Sequence, residues 1–195
     1  MAFLILCLPR SRSAWLASYL NYPLARPLQP IGHEVLTECR SWDEFVNNYK
    51  RGMWGTVETA GAMLWQNVRK EMPECKIVLV RRPLIEVYRS LAAKGIVADL
   101  HVLAEMNAIL DWAQNDPAIA SVPFEFLSEP LVGKWLFEYL LEIEWDEEWW
   151  MRLVATNIQV DIPGWQKKAN GKKDVYRELI NDICRRSLQP PGPLN

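Results

Sequence analysis

Residues 9–15 read PRSRSAW. Arg10, Ser11, Arg12 and Ser13 bring two guanidiniums and two hydroxyls together directly after an apolar run, FLILCL at residues 3–8. Trp15, Leu16, Tyr19 and Leu20 follow at helical spacing. A guanidinium takes two oxygens of a phosphate or sulfate at once, and a serine adds a hydroxyl donor. At the start of a helix such a set also gains free backbone N–H groups and the positive end of the helix dipole. The chemistry on offer is capture of a phosphate or sulfate group. A second set stands in KIVLVRRPLIEVYRS, residues 76–90, where Arg81 and Arg82 end an apolar run and Ser90 lies on the segment that follows.

Both sets need a scaffold that points them at one place. Residues 3–8 and 76–80 are continuous apolar runs, as expected of parallel strands buried on both faces, and residues 120–124 suggest a third. Helical segments lie between and after them. One runs from Ser13 to Leu20. Another opens at Ser41, an N-cap with Glu44 as its capping-box partner. A third follows the short extended stretch GTVE and ends before Pro73. The next starts at Pro83 and stops at Gly95, a residue suited to the left-handed cap. Residues 99–114, EPLVGKWLFEYLLEI, DEEWWMRLVATNI and residues 174–188 complete the set, and residues 189–195, QPPGPLN, read as a disordered tail. Residues 21–32, with three prolines, read as a loop. Strands alternating with helices predict an α/β fold, a small and mainly parallel sheet flanked by helices, in a single domain over residues 1–188. Ligands of such sheets sit at the carboxyl ends of the strands, where both arginine clusters fall.

Composition narrows the classes. The chain has 195 residues and a net charge of −2, which argues against general nucleic-acid binding and confines any anion site to a local cluster. Cys7, Cys39, Cys75 and Cys184 form no C-x-x-C pair and read as reduced thiols of a cytoplasmic protein. The first apolar run is too short for a membrane span and has no basic flank of an export signal. His33 and His101 with the scattered cysteines give no metal-ligand spacing, so no metal is expected. The loop after residue 8 has no glycine and no lysine, so the Walker A pattern of ATP- and GTP-hydrolysing enzymes is absent. Trp145, Trp149 and Trp150 read as one buried face of a helix rather than a carbohydrate platform, His101 as a packed helix residue, and KKANGKK at residues 167–173 as a solvated charge run.

PRSRSAW resembles the 5′-phosphosulfate loop of the sulfotransferases, a P-loop-NTPase-like fold. Their pattern is proline, Lys or Arg, serine, glycine, Ser or Thr, threonine, then Trp or Leu. Pro9, Arg10, Ser11, Ser13 and Trp15 match it, while Arg12 replaces the glycine and Ala14 a hydroxyl residue. The resemblance implies the donor 3′-phosphoadenosine 5′-phosphosulfate, with adenosine 3′,5′-bisphosphate as product and no metal. It implies Arg10, Ser11, Arg12, Ser13 and Ala14 around the phosphosulfate and Trp15 on the adenine. VRRP with Ser90 is similar to the second signature, an Arg and a Ser that bind the 3′-phosphate. Aligned on the proline, the arginine is Arg81, the preferred match; aligned on the serine spacing, it is Arg82. VPFEFLSEP bears a weaker likeness to a strand end near the family's C-terminus, and residues 21–75 a scattered one to short bacterial and phage-encoded members.

Group transfer to a hydroxyl also needs a base near the acceptor. The family takes His or Glu from between the two signatures, and this chain offers His33, Glu34 and Glu58 there. His33, in PIGHEV, stands ahead of Glu58, and both stay open at this stage, since a surface histidine and a helix-start glutamate would look the same. The expected acceptor is a hydroxyl of a small molecule or glycan, with no membrane partner. The alternative is a non-catalytic nucleotide-binding or virion assembly protein that retains the fold.

Overall fold

The computed structural model describes residues 2–23, 31–52, 55–59, 61–158, 178, 179 and 181. Strands β1 (Phe3–Cys7), β2 (Gly32–His33), β3 (Gly55–Glu58), β4 (Lys76–Arg81) and β5 (Ile119–Pro123) form one sheet in the order β2-β3-β1-β4-β5. Every pairing in it is parallel. β1 is central, with Phe3 opposite Lys76 and Cys7 opposite Val80 on one side, and Phe3 opposite Gly55 on the other. All five residues of β1 are buried, which explains why its sequence shows no alternation of polar and apolar residues.

Helices cover both faces. Alternation along the strands divides the apolar side chains into two cores. Leu4, Leu6, Ile77 and Leu79 point to one face, where α2 (Trp42–Lys50), α3 (Leu64–Glu71), α4 (Leu84–Ala92) and α5 (Leu100–Ala113) pack through Trp42, Phe45, Leu64, Val87 and Leu110. Phe3, Ile5, Cys7, Val78 and Val80 point to the other, against α1 (Ser13–Leu20), α6 (Pro130–Leu141) and α7 (Glu147–Ala155). The expected α/β architecture is present, and most elements lie where the sequence puts them. Ser41 caps α2 by accepting from the Glu44 N–H at 3.1 Å, while the Glu44 carboxylate accepts from the Arg40 N–H at 2.6 Å. Gly95, after α4, has φ +70°.

Three details differ from the sequence reading. Residues 32–33, read as loop, add the edge strand β2. Trp145 precedes α7 instead of lying on it. Its indole nevertheless donates to the Tyr19 hydroxyl, and Trp149 donates to the Tyr19 carbonyl, both at 2.8 Å, so the tryptophans pack around α1. His101 is 82% exposed beside Glu105, because its position in the first turn of α5 faces solvent and not the sheet. The final helix, the basic run at residues 167–173, the tail and Cys184 lie outside the described residues. Cys7, Cys39 and Cys75 are free and buried. Among the described residues no helix is long and apolar enough to cross a membrane.

The layer of α1, α6 and α7 closes at Gly133. A Cβ there would stand 2.2 Å from Trp150 Nε1, and the Gly133 carbonyl accepts from the Tyr19 hydroxyl at 3.0 Å. Trp150 is buried and has no room to retreat. Replacing Gly133 by Ala is expected to lower stability by about 1–3 kcal/mol, measured by urea unfolding, despite alanine's better helix propensity.

Candidate functional site

A cavity of about 560 Å³ opens at the carboxyl ends of the strands. Its wall takes Pro9, Arg10 and residues 12–15 from the loop after β1 and the start of α1. His33 ends β2 and Glu34 follows it, Thr59 follows β3, Arg82 and Ser90 come from the segment after β4, and Phe124 follows β5. Leu91, Ile96 and residues 154–158 at the end of α7 add apolar and polar wall. The two arginine sets, 70 residues apart in sequence, therefore meet because β1 and β4 are hydrogen-bonded neighbours of equal direction.

The contacts between the sets are direct. Arg10 Nε donates to Ser90 Oγ at 3.3 Å, and an Arg82 nitrogen donates to the Arg10 carbonyl. The Arg82 guanidinium lies 4.2 Å over the Phe124 ring. Arg10 and Arg12 both adopt the left-handed conformation, with φ 64° and 62°. Arg12 thus keeps the backbone shape that a glycine would take without strain, at a cost of about 1–2 kcal/mol. Its side chain crosses toward β5. Nη1 donates to Ser128 Oγ at 2.5 Å, and the guanidinium stands 5.8 Å from the centres of both Trp15 and Phe124. Since β2 and β5 are opposite edges of the sheet, this side chain leaves the His33 end open.

The other expected residues divide. Ser13 lines the cavity, and its Oγ is 3.0 Å from His33 Nε2. Trp15 reaches the wall but is 95% covered, since Nε1 donates to the Leu153 carbonyl at 2.7 Å and the ring stacks on Tyr19. Ser11 is fully buried outside the wall, and its hydroxyl has no partner among the described residues. Arg81 is turned away. As the last residue of β4 it continues the face of Ile77 and Leu79 and reaches Asn107 at 3.1 Å and the Asp111 carboxylate on α5. Arg82, one residue past the strand, faces the cavity instead. The geometry therefore puts the alternative match, not the preferred one, in the same wall as Ser90.

Glu58 also stays outside the wall, fully buried under the tip of β3. Of the three residues offered as a base, His33 and Glu34 reach the cavity and Glu58 does not. Thr59, Phe124 and Ser128 were not singled out from the sequence, and Glu34 was named there only among the residues available as a base. The rule that the residue after each parallel strand faces the ligand edge would have found Thr59 and Phe124 once the strands were known.

No protein-family model matches this chain, and no curated protein does. Among solved structures it is similar to mouse sulfotransferase SULT7A1, in a crystal structure complexed with PAP, with a TM-score of 0.56 and 13% sequence identity over 95% of this chain and 87% of that one. The chain has the sulfotransferase fold: a five-stranded parallel sheet with helices on both faces. Among the described residues no cluster of His, Cys, Asp and Glu is placed to hold a metal ion.

The electrostatics of the β2–β3 end are unusual. Burial, then the nearby charge of Glu34, pushes the Glu58 carboxyl up to about 8, against the hydrogen bonds from Thr56 and Leu36. Folding therefore takes up a proton at Glu58 between the ordinary carboxyl range and about pH 8, and the stability tied to it is lost as pH rises through that window. Glu58→Gln should remove this dependence. The difference in urea stability between variant and parent is expected to move in the variant's favour from pH 5 to pH 8, by at most about 1.4 kcal/mol per pH unit.

Proposed function

We propose that this chain is a sulfotransferase that moves a sulfuryl group from 3′-phosphoadenosine 5′-phosphosulfate to the hydroxyl of a small molecule or glycan. One observation carries the reading: Arg10, Ser13, Arg82, Ser90 and His33, from three different strand ends, surround one cavity, with Arg10 3.3 Å from Ser90 and His33 3.0 Å from Ser13. The donor set suits a ligand with two anionic ends. Among the described residues three guanidiniums line the wall against a single carboxylate, Glu34, and Arg10 and Arg12 meet the hydroxyls of Ser90 and Ser128. When bound, the donor supplies the sulfuryl group and a nucleotide leaving group.

The chain's own residues supply the rest. Arg10, the Ser13 hydroxyl and the first backbone N–H groups of α1 neutralise the phosphosulfate, the role a metal plays in many phosphoryl-transfer sites. Arg82 and Ser90 hold the 3′-phosphate, a fork and a hydroxyl on one anion. Trp15 and Phe124 border the place for the adenine, with Arg12 over both rings. His33, whose affinity for a proton burial lowers, is the base that takes the acceptor's proton. Burial of the base keeps it neutral, and so ready to accept a proton, at neutral pH.

Adenosine 3′,5′-bisphosphate at about a hundredfold excess over its Kd should raise the melting temperature by about 5 °C or more, and AMP by far less. Arg82→Ala should erase the difference between the two nucleotides, whereas Arg81→Ala should preserve it. Equal shifts by both nucleotides on the parent chain would show that the β4 loop does not read a 3′-phosphate. Loss of the difference in Arg81→Ala alone would return the role to that residue.

A further inference from the structure

At the β2–β3 end of the cavity an imidazole and two carboxyls lie close together, and their surroundings differ. Glu34 Oε1 is 3.8 Å from His33 Nε2. Its carboxylate accepts from the Thr59 N–H at 3.0 and 3.2 Å and from the Thr59 hydroxyl at 2.5 Å. An N–H shared between the two oxygens and an O–H on Oε1 favour the ionised form. Glu58 is the opposite case. Oε1 accepts from the Thr56 hydroxyl at 2.7 Å and the Leu36 N–H at 3.2 Å, but Oε2 is buried and has no partner among the described residues. A bare, ionised oxygen in the interior is costly, so Glu58 is the carboxyl that keeps its proton. Two neighbouring carboxyls with one charge between them are the familiar outcome of like-charge repulsion.

We infer that Glu34 is a positioning residue for His33: it supplies the counter-charge for the imidazolium that forms when His33 takes a proton. Glu58, kept neutral, leaves that charge on Glu34. The inference rests on the donor reading above for its place in a reaction. There the acceptor oxygen–sulfur bond forms, the sulfur–oxygen bond to the nucleotide breaks, the proton of the hydroxyl goes to His33 Nε2, and the negative charge leaves with the nucleotide. Ser13 Oγ shows that a hydroxyl fits against that nitrogen. Glu34 has φ 57°, in the left-handed region, so the chain accepts backbone strain to carry a carboxylate at this position.

The titratable and charged groups around His33 are few. Glu34 adjoins it. Glu58 on β3 and the Cys7 thiol on β1 lie beneath, and the thiol is pushed well up by burial and by both glutamates, so it stays neutral. Arg10, Arg12 and Arg82 line the same cavity and oppose protonation of His33. Burial lowers His33 as well. Among the described residues of the wall, Glu34 is thus the one group that favours the imidazolium.

The chain contains two histidines, and the exposed His101 serves as an internal reference. NMR titration of the ring protons in the intact chain reads both. Glu34→Gln should lower the His33 midpoint by about one unit or more and leave His101 in place, and Glu58→Gln should move His33 far less. An unchanged His33 midpoint in Glu34→Gln, or a larger fall in Glu58→Gln, overturns the assignment. Should Glu34→Gln not fold, carbon-13 titration of the side-chain carboxyls in the parent chain decides instead. Glu34 ionised at pH 7 with Glu58 protonated supports the pairing, and the reverse overturns it. Neither experiment uses nucleotide or turnover, so failure of the parent chain to bind adenosine 3′,5′-bisphosphate counts against the donor reading alone.

Discussion

The parallel pairing of β1 with β4 is the constraint on which the cavity depends. Five consecutive residue pairs, from Phe3 and Lys76 to Cys7 and Val80, bring the two chains to the same edge of the sheet in step. Pro9 and Arg82 follow at once on either side. A slip of one residue would turn every side chain of a strand to the other face, exchanging the two cores and their helices. The burial of Leu4, Leu6, Ile77 and Leu79 on one side and of Phe3, Ile5, Val78 and Val80 on the other therefore sets the register. The contact of Arg10 with Ser90, across 80 residues, is a consequence of that packing and not its cause.

Backbone strain concentrates where the strands end. Among the described residues four other than glycine have positive φ, and Arg10, Arg12 and Glu34 of these line the cavity. Each such residue costs about 1–3 kcal/mol unless its surroundings hold it. Here they do. The Arg10 carbonyl accepts from Arg82, the Arg12 guanidinium meets Ser128, and the Glu34 carboxylate is held by Thr59. In each case the residue is tied to a neighbour at the same sheet edge, and the strained backbone carries a charged side chain to the wall.

Much of this was legible in the sequence because burial on two faces leaves an uninterrupted apolar run, and residues 3–8 and 76–80 are such runs. The capping pair of Ser41 and Glu44 and the stop at Gly95 are local chemistry and equally visible. The edge strand β2 was not, since two residues of PIGHEV have no periodicity to read. The choice between Arg81 and Arg82 turned on where β4 ends: within the strand, alternation sends a side chain to the α5 face, and one residue later it no longer does. His33 against Glu58 was likewise hidden. Each is the last residue of a short strand, and only the depth of the β3 tip in the sheet shows that Glu58 is sealed in while His33 reaches the cavity.

The polarity of the cavity follows from the strand order. β4 and β5 lie on one side of β1 and carry Arg82, Phe124 and the Ser128 turn that Arg12 reaches. β3 and β2 lie on the other and carry Thr59, His33 and Glu34. Cation and aromatic ring thus gather at one end, and an imidazole with a carboxylate at the other, with the Arg10 loop and the start of α1 between them. On the function proposed above, an anionic nucleotide is attracted to the first end and repelled by the carboxylate at the second, which orients it before any specific hydrogen bond forms. The same order explains how arginine is tolerated where a glycine would be unstrained. A side chain at residue 12 directed along the sheet toward β5 meets Ser128 and two aromatic rings, while one directed toward β2 would stand between His33 and the open cavity.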